Sequence, residues 1–139
     1  MLSDEQVRDL AEQLYQAEFT RTPMTPISQT HPDADIADAY RIGALVTERK
    51  VAAGRKVKGH KIGLTSKAMR DATGATEPDY GTLFDDWFVL EGNPIDSARL
   101  NRPSVEVELA FVLNDELDGP GCTVADVIRA TDFVLPSIE

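Results

Sequence analysis

Apolar residues recur at helical spacing in two stretches of the first half of the chain. The first stretch follows Ser3 and Gln6, which form a capping-box pattern for a helix start, and ends before Pro23. The second runs from about Asp35 to Gly54, a glycine that favours a helix C-terminus. Residues 23–34 between them contain three prolines and predict a loop. The pattern therefore predicts two amphipathic helices joined by an irregular connection.

The remainder of the chain changes to short elements separated by turn residues. Strands are predicted at 57–64, at 87–90 and, most clearly, at 105–113. A short helix is predicted after Ser66 that stops by Gly74, and another after Thr123. Residues 77–81 read as a turn or loop, and residues 133–135 are apolar.

The strand at 105–113 carries the first candidate chemistry. Alternate side chains of a strand share a face, so Glu106 and Glu108 point the same way, about 7 Å apart along the strand. The opposite face is apolar. Two carboxylates on one face repel unless solvent or a cation separates them, and such oxygen-rich sites suit Mg²⁺ or Mn²⁺. The alternative is a half-exposed edge strand with two solvated glutamates.

Residues 59–63 and 77–81 carry the other candidates. Lys61 lies between two glycines, where the backbone can approach a ligand closely, and its ammonium group suits a carboxylate or an enolate. The alternative is an ordinary exposed lysine in a basic stretch. His60 fits a hydrogen-bonded structural role better than a catalytic base, and Asp79, beside a proline, is typical of a turn cap.

Length and charge bound the class of protein. A chain of 139 residues predicts one domain, and a net charge of -10 argues against nucleic acid and membrane surfaces as partners. No apolar run has the length of a membrane span, and the first residues lack the pattern of a signal peptide. Cys122 is the only cysteine, which excludes an intrachain disulfide and fits a cytoplasmic location.

Four segments taken together resemble the hydratases of the fumarylacetoacetate hydrolase superfamily: residues 59–69, 77–86, 103–113 and 130–139. The resemblance implies an α+β fold with N-terminal helices and part of the mixed, rolled β-sheet of the fumarylacetoacetase C-terminal-like fold. Members of that family are considerably longer. Residues 1–139 are therefore expected to form a single domain that is the N-terminal portion of such an enzyme, present here as a fragment or a truncated product.

The resemblance also assigns roles to residues. It implies that Glu106, Glu108 and Glu139 form an acidic triad that binds Mg²⁺ or Mn²⁺. It makes Lys61 the active-site lysine and Asp79 an acidic residue of the pocket. It also implies that His60 and Leu83 are substrate-binding residues.

The implied reaction is addition of water to a 2-hydroxydienoate or 2-oxo-enoate of the 2-oxo-hept-4-ene-1,7-dioate type, in aromatic catabolism. The metal polarises the 2-oxo group, and water adds at C4. The general acid–base stays open between Lys61, Asp79 and groups outside this chain. A 2-oxo-3-enedioate decarboxylase of the 4-oxalocrotonate type is the nearest alternative. A truncated, non-catalytic partner chain is the second. A homo-oligomer and a complex with a pathway enzyme are the expected assemblies.

Overall fold

The chain forms two compact units in a computed structural model that describes residues 1–101 and 103–139. The units are Met1–Arg99 and Leu100–Glu139, and each is described by itself. The secondary structure combines helices with two separate two-stranded antiparallel sheets. The α+β class expected from the resemblance is therefore confirmed. That the whole chain is one domain stays a prediction.

The first unit begins with a helical hairpin. Helix α1 (Asp4–Thr20) and helix α3 (Ile36–Ala52) pack against each other, and the short helix α2 (Ile27–Thr30) lies in the connection that the prolines had predicted to be a loop. Both long helices start with a capping box. The box at Ser3 was predicted, whereas for Asp35 the sequence predicted only that a helix starts near it. Facing side chains of the two helices form the buried core together with Leu2, which precedes α1: Leu2, Val7, Leu10, Ala11 and Ile42. No helix in the described ranges is long and apolar enough to span a lipid bilayer.

A fully buried carboxylate ties the start of α1 to the start of α3. Asp38 accepts hydrogen bonds from the backbone N–H of Leu2 at 2.8 Å and from Arg41 at 2.9 Å. Burial alone raises the pKa of Asp38. The bonds from Leu2, Asp35 and Arg41 outweigh burial, so its pKa lies below the ordinary value. The Asp38 carboxylate is therefore held in its charged form, and its hydrogen bonds link the starts of the two helices.

The rest of this unit is a β-hairpin interrupted by a helix. Strand β1 (Val57–Gly63) pairs antiparallel with strand β2 (Asp79–Phe84), and helix α4 (Lys67–Thr73) lies between them in sequence. Ser66 caps α4, and Gly74 ends it with a φ of 74°, as predicted. The prediction of a turn over 77–81 is wrong for its last three residues. Asp79 to Gly81 join β2 because the partner strand satisfies their backbone groups, which overrides local turn preference.

The predicted strand at 87–90 is also wrong. Residues Asp85–Trp87 form a 3-10 turn, and residues 88–90 are not paired to any strand in the described parts of the chain. A second 3-10 turn follows at Ser97–Arg99. An apolar run predicts strand-like burial, but without a neighbour to complete the ladder it stays irregular. Phe88 and Leu90 are accordingly exposed.

A buried lysine fixes the β-hairpin to the ends of the helices. Lys50, only 5% exposed, pairs with Glu18, and its ammonium lies 4.7 Å from the ring centre of Trp87 and 5.0 Å from that of Phe84. Arg55 donates to the same glutamate at 3.0 Å. The two aromatic faces and the Glu18 carboxylate together offset the free-energy cost of removing the Lys50 ammonium group from water. The cluster therefore anchors the end of β2 to both long helices.

The second unit is a hairpin with its own helix. Strand β3 (Val107–Leu113) pairs antiparallel with strand β4 (Thr131–Ile138), and helix α5 (Val124–Ala130), capped by Thr123, leads into β4. The strand and the helix were predicted, and the apolar residues 133–135 prove to be the middle of β4. One face of this hairpin is wholly apolar and exposed. It carries Val107, Leu109, Phe111, Val134, Pro136 and Ile138.

Candidate functional site

Three glutamates converge at the open end of the β3–β4 hairpin. Glu106 and Glu139 stand directly opposite each other and exchange two backbone hydrogen bonds, of 2.8 and 2.9 Å. Glu108 follows Glu106 by two residues and so shares its face. Carboxylate oxygens of the three side chains lie within 4.8 Å of one another. The strand register therefore gathers all three residues to which the family resemblance gives a metal-binding role.

The chemistry of this cluster suits a hard divalent cation. All three carboxylates are exposed to solvent, and like charges at this spacing repel one another without a counterion. Oxygens that bind one Mg²⁺ at 2.0–2.1 Å are roughly 3–4 Å apart, and those around Ca²⁺ are somewhat farther apart. The oxygens of the cluster lie within 4.8 Å of one another, close to those separations, so the residues present fit a divalent metal ion.

A second group of candidate residues shares one face of the β1–β2 ladder. Lys61 lies opposite Gly81, and Asp79 lies opposite Gly63. Leu83, opposite Gly59, completes the same face. Lys61 and Asp79 are therefore diagonal neighbours across the two strands. The backbones of diagonal neighbours lie about 7–8 Å apart, so that long side chains at these positions can meet. Lys61 and Leu83 are half-buried, and Asp79 is exposed.

His60 lies on the other face of this ladder. It is opposite Thr82, and its ring meets the edge of Tyr80 with centroids 6.0 Å apart. Tyr80 in turn stacks on Tyr40 of α3 at 4.8 Å. Of the four residues that the sequence proposed for this region, the ladder brings three to one face and directs the fourth to the face of the stacked tyrosines. A substrate-binding role for His60 stays a prediction.

The turn after β1 contains a feature that sequence reasoning missed. Leu64 has a φ of 54°, a left-handed conformation that is uncommon for a bulky residue. Arg70 donates to the carbonyl oxygens of Leu64 and Thr65 at 2.7 and 2.8 Å. Arg70 reaches these carbonyl oxygens because the first turn of α4 brings it back over the end of β1. The only signal in the sequence was an arginine on a predicted helix, six residues after Leu64. Arg70 fixes the exit of the strand that carries Lys61.

The α+β chain thus carries an acidic cluster suited to a divalent ion on one strand pair, and a lysine and an aspartate on one face of another. Comparison with known proteins shows which enzymes share these features. No family model matches the chain. Its homologues are hydratases and decarboxylases of the fumarylacetoacetate hydrolase superfamily, as the sequence motifs indicated.

Two relatives illustrate the range of these homologues. The chain is 48% identical over 130 residues to 2-oxo-hept-4-ene-1,7-dioate hydratase of Escherichia coli, a match that covers 94% of this chain and 49% of the relative. It is 40% identical over 138 residues to 4-oxalocrotonate decarboxylase of Pseudomonas sp. (strain CF600), covering 99% of this chain and 52% of the relative. The chain thus spans about half the length of the relatives it matches.

Solved structures give the same result for the fold. The 4-oxalocrotonate decarboxylase of Pseudomonas putida, complexed with magnesium and adipate, superposes with a TM-score of 0.94 at 38% identity. The match covers 100% of this chain and 53% of that one. The same enzyme has also been solved with calcium and acetate. The fold is therefore part of the fold of the fumarylacetoacetate hydrolase superfamily, and its structural relatives bind divalent metal ions.

Proposed function

We propose that this chain provides the metal-binding and lysine-bearing part of a hydratase that adds water to a 2-hydroxydienoate of the 2-oxo-hept-4-ene-1,7-dioate type. The observation that carries the proposal is the convergence of Glu106, Glu108 and Glu139 on one hairpin face. Several of the relatives are hydratases, and the name of the one at 48% identity specifies a substrate of this type.

The acidic cluster has the role of holding the cation. Three carboxylates from two strands supply oxygen ligands and leave the remaining positions of an Mg²⁺ or Mn²⁺ ion for substrate. When bound, the ion supplies Lewis acidity toward the 2-oxo oxygen. The charge of the three glutamates exceeds that of one divalent ion by one unit, which discourages binding of an anionic substrate unless a cationic side chain offsets it.

We assign Lys61 to the binding of negative charge on the substrate. Its ammonium group can bind a substrate carboxylate or stabilise negative charge that develops on the 2-oxo oxygen. Asp79, on the same face, offers a carboxylate that can accept a proton from substrate carbon or from the attacking water. Leu83 is a half-buried diagonal neighbour of Lys61 and gives this face an apolar side chain. Lys61 and Asp79 remain the two candidates of this chain for the general acid–base.

The decarboxylase alternative has its own support, because the solved structures that superpose on the chain are 4-oxalocrotonate decarboxylases. Both reactions need a polarised 2-oxo group, so the features shared by the two enzymes do not separate them. The products do separate them. A decarboxylase releases CO₂, whereas a hydratase yields a 4-hydroxy-2-oxo acid of unchanged carbon number.

The deciding experiment is a product assay of the native enzyme with Mg²⁺ and with Mn²⁺. We expect a hydrated product from a seven-carbon 2-hydroxydienedioate, no CO₂ release, and loss of turnover on addition of a chelator. The double variant Glu106→Gln, Glu108→Gln serves as the matched metal-site control and should be inactive with its fold retained. CO₂ release would establish the decarboxylase alternative. Absence of turnover on either substrate would favour a non-catalytic partner chain.

The proposal extends to assembly and location. The exposed apolar face of the β3–β4 hairpin needs a cover, which favours a larger assembly such as a homo-oligomer or a complex with a pathway enzyme. A single cysteine and a small 2-oxo acid substrate accord with a cytoplasmic enzyme. Size measurement of the native enzyme tests the first statement, and cell fractionation tests the second.

A further inference from the structure

Gly63 and Gly81 occupy the positions directly opposite Asp79 and Lys61 in the β1–β2 ladder. Glycine is often required where φ is positive, as it is at Gly54 and Gly74. Neither Gly63 nor Gly81 has a positive φ. Their backbone conformation is therefore open to any residue, and glycine inside a strand weakens the strand. The reason for glycine at these two positions must lie in the space above them.

The space above Gly63 is filled by the carboxylate of Asp79. A Cβ atom built on Gly63 would lie 2.1 Å from Oδ1 and 3.2 Å from Cγ of Asp79. The first distance is far inside van der Waals contact. Any side chain at position 63 therefore displaces the Asp79 carboxylate from the place where it lies, flat over the backbone of the neighbouring strand.

The space above Gly81 is filled in the same way by Lys61. A Cβ atom at Gly81 would lie 3.2 Å from Cγ and 3.5 Å from Cδ of Lys61. This contact is tighter than most, but the aliphatic stem of a lysine can give by a few tenths of an ångström. A side chain at position 81 therefore tilts Lys61 without expelling it.

A third glycine on this face behaves differently. Gly59 lies opposite Leu83, and a Cβ atom there would meet no heavy atom of the described residues within 4 Å. It too has no positive φ. Gly59 shares its strand and face with Gly63 but has no functional side chain lying over it, so it serves as a matched control for the loss of a glycine in this ladder.

We propose that Gly63 and Gly81 are positioning residues, which let the carboxylate of Asp79 and the stem of Lys61 lie across the opposite strand and so fix where their charged ends meet the substrate. The inference rests on the proposed function of the lysine and aspartate. Each glycine acts on one partner only, because the diagonal arrangement gives Asp79 and Lys61 separate glycines.

The kinetic test uses the native enzyme with Gly63→Ala, Gly81→Ala and the control Gly59→Ala. Misplacement of a reacting group by about 1 Å can cost on the order of 100-fold in rate. We expect Gly63→Ala to lower kcat about 10- to 100-fold with little change in KM, since it displaces a proton-transfer group. We expect Gly81→Ala to act mainly on KM, since Lys61 binds substrate charge. Gly59→Ala should match the native enzyme.

Double variants separate positioning from general damage to the strand. In an Asp79→Ala background no carboxylate overlies position 63, so Gly63→Ala should change kcat by less than about twofold. Gly81→Ala should likewise change nothing further in a Lys61→Ala background. Equal losses in the presence and absence of the partner would overturn the proposal, as would a Gly59→Ala variant as impaired as Gly63→Ala.

A crystal structure of Gly63→Ala decides the matter without turnover. The proposal expects the Asp79 carboxylate to be rotated away over an unchanged ladder. A carboxylate retained in place, with the strand backbone shifted instead, would overturn it. Failure of the native enzyme to act on any 2-oxo acid would remove the proposed function, and this structural result would then still show whether Gly63 places Asp79.

Discussion

Glu106 and Glu139 form the last hydrogen-bonded pair of the β3–β4 hairpin, each donating its backbone N–H to the carbonyl oxygen of the other. In an antiparallel ladder, residues paired in this way carry their side chains on the same face, about 5.5 Å apart at Cα. The pairing therefore fixes the position of both carboxylates by main-chain geometry. Side-chain contacts are not needed to assemble the cluster, because the ladder does so.

Removal of one carboxylate from this pair should weaken metal binding. We expect Glu139→Gln to reduce Mg²⁺ and Mn²⁺ affinity of the native enzyme by roughly tenfold or more, because hard cations depend on charged oxygen ligands. Calorimetric titration measures the change. Glu116→Gln is the control, since Glu116 is exposed in the same unit but outside the cluster. Unchanged affinity for Glu139→Gln would show that the third ligand lies elsewhere.

Lys61→Met should separate turnover from folding. The substitution keeps an unbranched stem of similar length over Gly81 but removes the ammonium group. We expect kcat/KM to fall about 100-fold or more, as for loss of a preorganised electrostatic group, with the melting temperature nearly unchanged. Lys58→Met is the matched control, because Lys58 is an exposed lysine of the same strand, three residues before Lys61 and at a register shift of the ladder. Near-native turnover by Lys61→Met would make Lys61 an ordinary surface residue.

Asp38→Asn should change how stability depends on pH. The pKa of Asp38 is lowered in the folded protein from its ordinary value of 3.8, so the charged form stabilises the fold above that pH. That contribution is lost as the pH falls through the lower, folded-state pKa. We therefore expect the native protein to be clearly more stable than Asp38→Asn above about pH 5, and the difference to shrink in stronger acid.

Urea unfolding of both proteins across this pH range measures the Asp38 effect. Asp126→Asn is a useful comparison, because Thr123 lowers the pKa of Asp126 in the same direction at an exposed helix start. We expect a smaller difference there, since Asp126 does not join two long helices. If the difference in free energy of unfolding between the native protein and Asp38→Asn stayed constant into acid, the charged Asp38 carboxylate would not be the group that links the two helices.

A polypeptide of residues 1–139 by itself should expose the apolar face of the β3–β4 hairpin. Val107 is 86% exposed and Ile138 is 71% exposed. Burial of one large apolar side chain contributes about 1.5–3 kcal/mol, against a total stability of about 5–15 kcal/mol for a native domain. We therefore expect this polypeptide to self-associate, to bind an apolar dye and to be a poor hydratase. Val107→Lys should reduce self-association. A monodisperse monomer without dye binding would contradict the expectation.

Local signals in the sequence predicted most of the helical part of the fold. The structure confirms the helix ends that were predicted from capping residues: Ser3 with Gln6, Ser66 with Gly74, and Thr123. These ends were predictable because a cap depends on side chains within a few residues of it. The errors fall where pairing with a distant strand decides the outcome. Residues 79–81 joined β2 although they had the composition of a turn. Residues 88–90 had the composition of a strand but pair with no strand in the part of the chain that the structure describes.

The candidate site divides in the same way. The spacing of Glu106 and Glu108 predicted their common face, since two residues that are two positions apart in an extended segment point the same way. The approach of Glu139 to them could be expected only from the family resemblance, because it depends on the register between β3 and β4. The relation of Gly63 to Asp79 and of Gly81 to Lys61 also depends on register, here between β1 and β2. Sequence reasoning noted that glycines flank Lys61 but had no means to pair Gly81 with it.

The pairing of Glu106 with Glu139, which flank the β3–β4 ladder, has a consequence for folding. An ion held jointly by Glu106 and Glu139 would close α5 and both strands into a ring, much as a covalent cross-link would, and would thereby restrict the unfolded chain. By thermodynamic linkage, free metal at 100 times its dissociation constant would add about 2.7 kcal/mol to the free energy of unfolding. The cation would then stabilise the folded hairpin, and a chelator would lower the melting temperature of the enzyme as well as its activity.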